Sequence, residues 1–187
     1  MKALALTCLV LGLGAPAAEA GFVTPLAFNN STPAEVSFDD GAGNSGTLNT
    51  LLAQLHVSYS DGGSLSGINT FSIDLFHAVT LGQTYAVNLR DDLATAYVNG
   101  GRIAFVSQSF GLPNLTNDPV QAAAVQIALW DLSLNNHNPT TFGMDAGGTY
   151  SSGDPDVFRV SLGDNPDATA ISGLVNQYLQ VKERSLI

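Results

Sequence analysis

The stretch AAAVQIALWDLSLNN, residues 122–136, sets the reading of this chain. Its alanines favour helix, and Val120, Ala123, Ala124, Ile127, Trp130 and Leu134 recur at the spacing of a buried helical stripe. Just upstream, Asn117 or Asp118 can cap the helix, and Pro119 suits its first turn. The expected helix therefore covers 117–134. Gln126 stands out in it: a polar amide four residues before the only tryptophan, Trp130, on an otherwise apolar segment.

Upstream of this helix the pattern differs. The runs 22–28, 34–38, 52–60, 70–76 and 83–89 are short, apolar or alternating, with turn clusters DDGAGNSG and SDGGSLSG between them. They read as strands. Helical spacing begins after Arg90, at 90–98 and 101–112, the latter stopped by Gly111 and Pro113. A polar loop over 135–156 leads to a strand at 157–162 and a closing helix at 165–184. Strands first and helices later predict an α+β fold, with an antiparallel sandwich- or barrel-like N-terminal half and a helical cluster in the C-terminal half.

The N-terminus reads as an export signal. One lysine precedes an apolar run, and small residues end in Ala18-Glu19-Ala20, an A-x-A cleavage pattern before Gly21. The run from Ala3 to Leu13 is too short to span a bilayer, and the context of Cys8 does not suit lipid attachment. The expectation is a signal peptide over 1–20, one domain over 21–187, a secreted or cell-surface location, and no transmembrane anchor after cleavage. Removal of Cys8 leaves no cysteine, which excludes disulfides, thiolate metal sites and thiol nucleophiles from the mature domain.

Net charge is −10 with only 12% charged residues, so the acidity comes from scarce bases. No basic cluster is present to displace counterions from phosphates, which argues against nucleic acid and against anionic membrane surfaces.

Two short motifs carry a resemblance. Val125-Gln126-Ile127-Ala128-Leu129-Trp130 and Phe71-Ser72-Ile73-Asp74 resemble the paired motifs of the bacterial thioester domains of surface adhesins and exported proteins. That family has T-Q-x-A-[IL]-W on a helix and aromatic–Cys–x–Asp on an earlier strand. Here Val125 replaces the threonine and Ser72 the cysteine. In the family, the thiol attacks the glutamine carbonyl, ammonia leaves, and the thioester acylates a nucleophile on a target surface. The resemblance implies that Ser72 and Gln126 are the equivalent pair, with Phe71, Asp74, Ala128 and Trp130 in support.

A serine hydroxyl ionises far less readily than a thiol, so bond formation would need a general base, and an ester would react more slowly with amines. Three readings of the pair stand. Gln126 is a hydrogen-bonded interior amide, or it forms an unreactive ester with Ser72, or the site is a non-covalent pocket. The expected role is extracellular adhesion, binding or structure without thioester chemistry, toward a surface ligand or glycan. The chain is not expected to be an enzyme; no catalytic residue, metal or cofactor is assigned.

Other chemistries fit less well. Ser72, Asp74 and His77 lie close in sequence, but His77 falls on the opposite strand face, and no nucleophile elbow is present. His56, His77 and His137 lack metal-ligand spacing. Asp39 and Asp40, or Asp154 and Asp156, could hold calcium, with Asx turns as the plainer account. The rival function is a secreted carbohydrate-binding or extracellular-matrix protein, with Tyr97, Phe142 and Tyr150 as candidate contacts. Asn29, Asn30 and Asn114 begin glycosylation sequons.

Overall fold

The computed structural model describes residues 20–39, 45–60, 65–73, 79–88, 99–111, 118–134, 143–144, 149–151 and 158–180. Strands β1 (Ala20–Asp39), β2 (Ser45–Ser60), β3 (Leu65–Thr70) and β4 (Tyr85–Asn88) come first. Helix α1 (Gly100–Val106) follows and runs on as a π turn, Ser107–Gly111. Then come α2 (Pro119–Leu134), the short strands β5 (Gly143–Met144), β6 (Thr149–Ser151) and β7 (Phe158–Ser161), and α3 (Ala168–Leu179). The fold is α+β.

All described pairings are antiparallel. The order is β3-β2-β1-β7-β6-β5, with β4 also on β1. This path is open: no pairing among the described residues joins its two ends. One edge of β1 pairs with β2 from Phe22 to Asp39. The other edge is shared, by β4 at Ala20–Val23 and by β7 at Glu35–Phe38.

The runs 22–28 and 34–38, expected as two strands, are one. The break suggested by Asn29-Asn30-Ser31 is absorbed as bulges. The register against β2 slips by one residue between Pro25 and Ala27 and again between Asn29 and Thr32. Asn30, at φ 53, takes the left-handed conformation that asparagine tolerates better than most residues. Pro25 and Pro33 fall in the part of β1 between its β4 and β7 pairings, where a missing ladder donor costs little.

The β1–β2 ribbon serves two cores. Leu52 joins Ala34, Val36 and the helices in the larger cluster, whereas Leu55, Val57 and Tyr59 join Val23 and Tyr85 in the smaller one. Position 52 and positions 55, 57 and 59 have opposite parity on an alternating strand, so the cores lie on opposite faces. Between them, Leu52 through Leu55 are all buried.

Helix α2 departs from the expected one-sided stripe. Every residue from Ala122 to Leu132 is buried, while Val120 and Leu134 at its ends are only partly so. The helix packs against β1 and β2 on the sheet side and against α1 and α3 elsewhere, so no flank needs polar cover. Its start is as expected: Asp118 Oδ1 accepts from the Gln121 N–H at 2.9 Å, and its carbonyl accepts from Ala122 at 3.0 Å.

The helix expected over 101–112 begins at Gly100, and that over 165–184 is confined to Ala168–Leu179. The loop 135–156 contains β5 and β6. The helix expected at 90–98 and the signal peptide fall outside the described residues, apart from Ala20, which opens β1.

Candidate functional site

An interior helix leaves no solvent for its polar side chains, so each must find a partner inside. Gln126 is 2% exposed, and its Nε2 donates to the backbone carbonyl of Ser72 at 2.5 Å, across 54 residues of chain. Seven residues on, which is two turns along the same face of α2, Ser133 Oγ lies 2.9 Å from the carbonyl of Ile73 and 3.0 Å from that of Trp130, which share its one proton. Two adjacent carbonyls of the segment after β3 are thus held by two side chains of one helix.

Of the strand expected at 70–76, residues 74–76 lie outside the described residues. β3 ends at Thr70, and Phe71, Ser72 and Ile73 are all buried in succession rather than alternating. The Ser72 and Ile73 carbonyls bond side chains of the helix, and Ser72 also forms an isolated strand bridge. Phe71 and Ile73 enter the larger core. Ser72 is 9% exposed and makes further interactions.

The supporting positions separate by role. Ala128, fully buried, gives α2 a small side chain two residues past Gln126. Trp130 is core, and its indole Nε1 is buried with no hydrogen-bond partner among the described residues. Asp74 lies outside the described residues, as does His77, so the serine-hydrolase grouping has no described geometry beyond Ser72.

Chemically, the pair brings an amide and a serine residue together in the interior. The amide nitrogen is committed to a backbone carbonyl, which fixes the Gln126 side chain. Departure of ammonia from Gln126 would remove this bond, and a hydroxyl attacking the amide carbon would need a base to take its proton.

The remaining candidates are spread apart. His56 is half-buried on β2, with Nδ1 2.9 Å from Asn69 Oδ1 on β3; His137 lies outside the described residues. No group of three metal-ligating side chains occurs among the described residues. Of the calcium candidates, Asp40, Asp154 and Asp156 lie outside them, and Asp39 is described in its backbone alone. The same holds for the aromatic candidates: Tyr97 and Phe142 lie outside, and Tyr150 is a backbone position on β6. Asn29 and Asn30 sit at the second β1 bulge; Asn114 is outside. No described helix is long and apolar enough to cross a membrane.

Sequence reasoning missed Ser133, although its spacing of seven from Gln126 was a usable signal. It also missed two buried polar residues near α1. Asn99 Nδ2 donates to the Leu132 carbonyl at 3.2 Å, and Arg102 donates to the carbonyl of Leu179. Asp131, fully buried on α2, makes interactions of its own.

No family model matches the chain, and no curated protein or solved structure matches it either.

Proposed function

We propose that this chain is a secreted or cell-surface domain of the thioester type, serving adhesion, binding or structure, in which Ser72 in place of cysteine has removed the covalent chemistry. The observation that carries the reading is the meeting of Gln126 with Ser72 inside the domain. The family's acyl bond would join a residue at each of these positions. Here the glutamine keeps its nitrogen and uses it as a donor, and a buried amide so held contributes about 1 kcal/mol net. A sandwich- or barrel-like closure of the N-terminal half belongs to the same reading and would need added partners for β3 and β4.

Intact-mass measurement of the purified protein and of Ser72→Cys tests it, with tandem mass spectrometry locating any change. The wild-type chain should keep its full mass at residues 72 and 126. Ser72→Cys should lose one ammonia through a Cys–Gln126 cross-link that methylamine opens. A Ser72→Cys protein that folds and retains its ammonia would remove the basis of the reading. An ammonia loss in the wild type, mapped to a 72–126 bond, would replace it with an internal ester. Mapping excludes succinimide formation at Asn99-Gly100.

A further inference from the structure

The start of β1 coincides with the processing site expected from the sequence. The Ala18-Glu19-Ala20 pattern puts cleavage between Ala20 and Gly21. Both residues already belong to the sheet: β1 begins at Ala20, which pairs with Asn88 of β4, and Gly21 pairs with Val87. Phe22 and Val23 then pair with β4 on one edge and with β2 on the other. No spacer separates the bond to be cut from the first strand.

Gly21 is also covered from one face. It is buried, and Tyr59, paired with Val23 two residues along, lays the tip of its ring over it. A Cβ at position 21 would come within 2.5 Å of Tyr59 Cε2 and 2.7 Å of its hydroxyl oxygen. The ring has little room to swing aside, because Tyr59 is 9% exposed and packs with Val23, Val57 and Tyr85 in the smaller core. The fold therefore has its own reason for glycine at 21, a close approach of a ring to backbone. A peptidase that selects small residues imposes the same choice, so two demands fall on one residue.

These contacts set an order of events. Hydrolysis adds water across the Ala20–Gly21 amide. The hydroxyl goes to the Ala20 carbonyl carbon, and the Gly21 nitrogen leaves as an amine that takes up a proton. A peptidase needs this backbone unpaired and open on the side of attack. In the folded chain β4 engages the backbone and Tyr59 covers Gly21, so cutting requires the end of β1 to open first. The ladder to β4 and the complete burial of Val23 oppose that opening.

We infer that leader removal precedes closure of this end of the sheet. The chain meets its peptidase unfolded, is cut before Gly21, and only then seats Gly21 between β4 and Tyr59, after which the folded domain shields the position. The inference rests on the export reading proposed above and adds its timing.

The test uses the full precursor, residues 1–187, and a bacterial signal peptidase in detergent. Diluted from urea directly into the enzyme, the precursor should be cut, and intact mass should place the new N-terminus at Gly21. Refolded before the enzyme is added, it should be cut at least about tenfold more slowly, because only the opened fraction reacts. Gly21→Ala should be cut like the wild type when presented unfolded, and its mature product should unfold at a lower urea concentration. Equal cutting of the two presentations, whether β1 opens freely or the leader keeps it from forming, would overturn the inference. So would no cutting of the unfolded chain, a new terminus elsewhere, or a Gly21→Ala product with the wild-type midpoint. The two readings fail separately. Slow cutting of the refolded precursor stands even if Ser72→Cys keeps its ammonia, and a cross-linked Ser72→Cys whose refolded precursor is cut freely loses only the timing.

Discussion

Ser133 Oγ donates to the carbonyl of Ile73 one residue beyond the Ser72 carbonyl that Gln126 holds. The two side chains stand two turns apart on α2, yet their acceptors are consecutive. The long glutamine and the short serine together let the segment after β3 lie against the helix. That segment follows β3, which borders the smaller core, while Phe71 and Ile73 belong to the larger. The contact therefore couples the two.

Gln126→Leu should destabilise the fold by about 1 kcal/mol, because it removes the amide donor from the buried Ser72 carbonyl. Ser133→Ala should cost about 1 kcal/mol. Since both hold one three-residue segment, the double variant should lose less than the sum, with a coupling of about 0.5 kcal/mol or more. Urea denaturation of the four proteins measures this. Wild-type stability in Gln126→Leu would show that the contact does not support the fold.

Local chemistry makes much of this architecture legible in the sequence. Asp118 and Pro119 mark the start of α2, and the Gly-rich clusters fall between strands, because caps and turns are decided by a few adjacent residues. Gln126 and Ser72 stand out from their motifs, and the Gln126 amide reaches the Ser72 backbone carbonyl. What escaped depends on contacts made from afar. The fusion of 22–28 with 34–38 needed β2 as a continuous partner for a bulged strand. The all-round burial of α2 follows from sheet and helices packing on every side, which its own periodicity cannot express. The end of β3 at Thr70 is not legible because Phe71, Ser72 and Ile73 are buried in succession, between the sheet and the helix, and leave no alternation to read.

Asp118 anchors the start of the central helix through its carboxylate. Replacing it with alanine removes a cap and should cost about 1 kcal/mol, whereas Asp118→Asn should keep most of the stability. Thermal unfolding of the two variants provides the comparison. Equal losses would mean that charge near the helix start, rather than the bond to Gln121, is what counts.

Arg102 ties α1 to the end of α3. It is 6% exposed and donates to the carbonyl of Leu179, the last residue of that helix, where carbonyls lack intrahelical partners. A cation there also meets the negative end of the helix dipole. Arg102→Met keeps the bulk but drops the donor, and should cost about 1.5–3 kcal/mol. Hydrogen exchange should then rise in the last turn of α3 more than in β1 or β2. Uniform exchange across the domain would assign Arg102 to global packing instead.

Tyr178 gives the fold an alkaline limit. Its ring stacks on Phe110 at 4.3 Å between centroids, and Phe110 meets Phe105 edge-on at 6.0 Å. Burial raises its phenol above the ordinary 10.0; a hydrogen bond with Gln121 works in the opposite sense, and the Asp118 carboxylate adds to the rise. The unfolded chain therefore releases this proton at lower pH than the folded chain does. Below pH 10.0 the contribution of Tyr178 is complete, and it is lost as pH rises through the higher folded value. The denaturation midpoint of the wild type should fall on that limb. Tyr178→Phe, which cannot ionise, should show a shallower fall, so the difference between the two proteins should shrink or reverse as pH climbs. Parallel curves for wild type and Tyr178→Phe would show that the phenol titrates alike in both states.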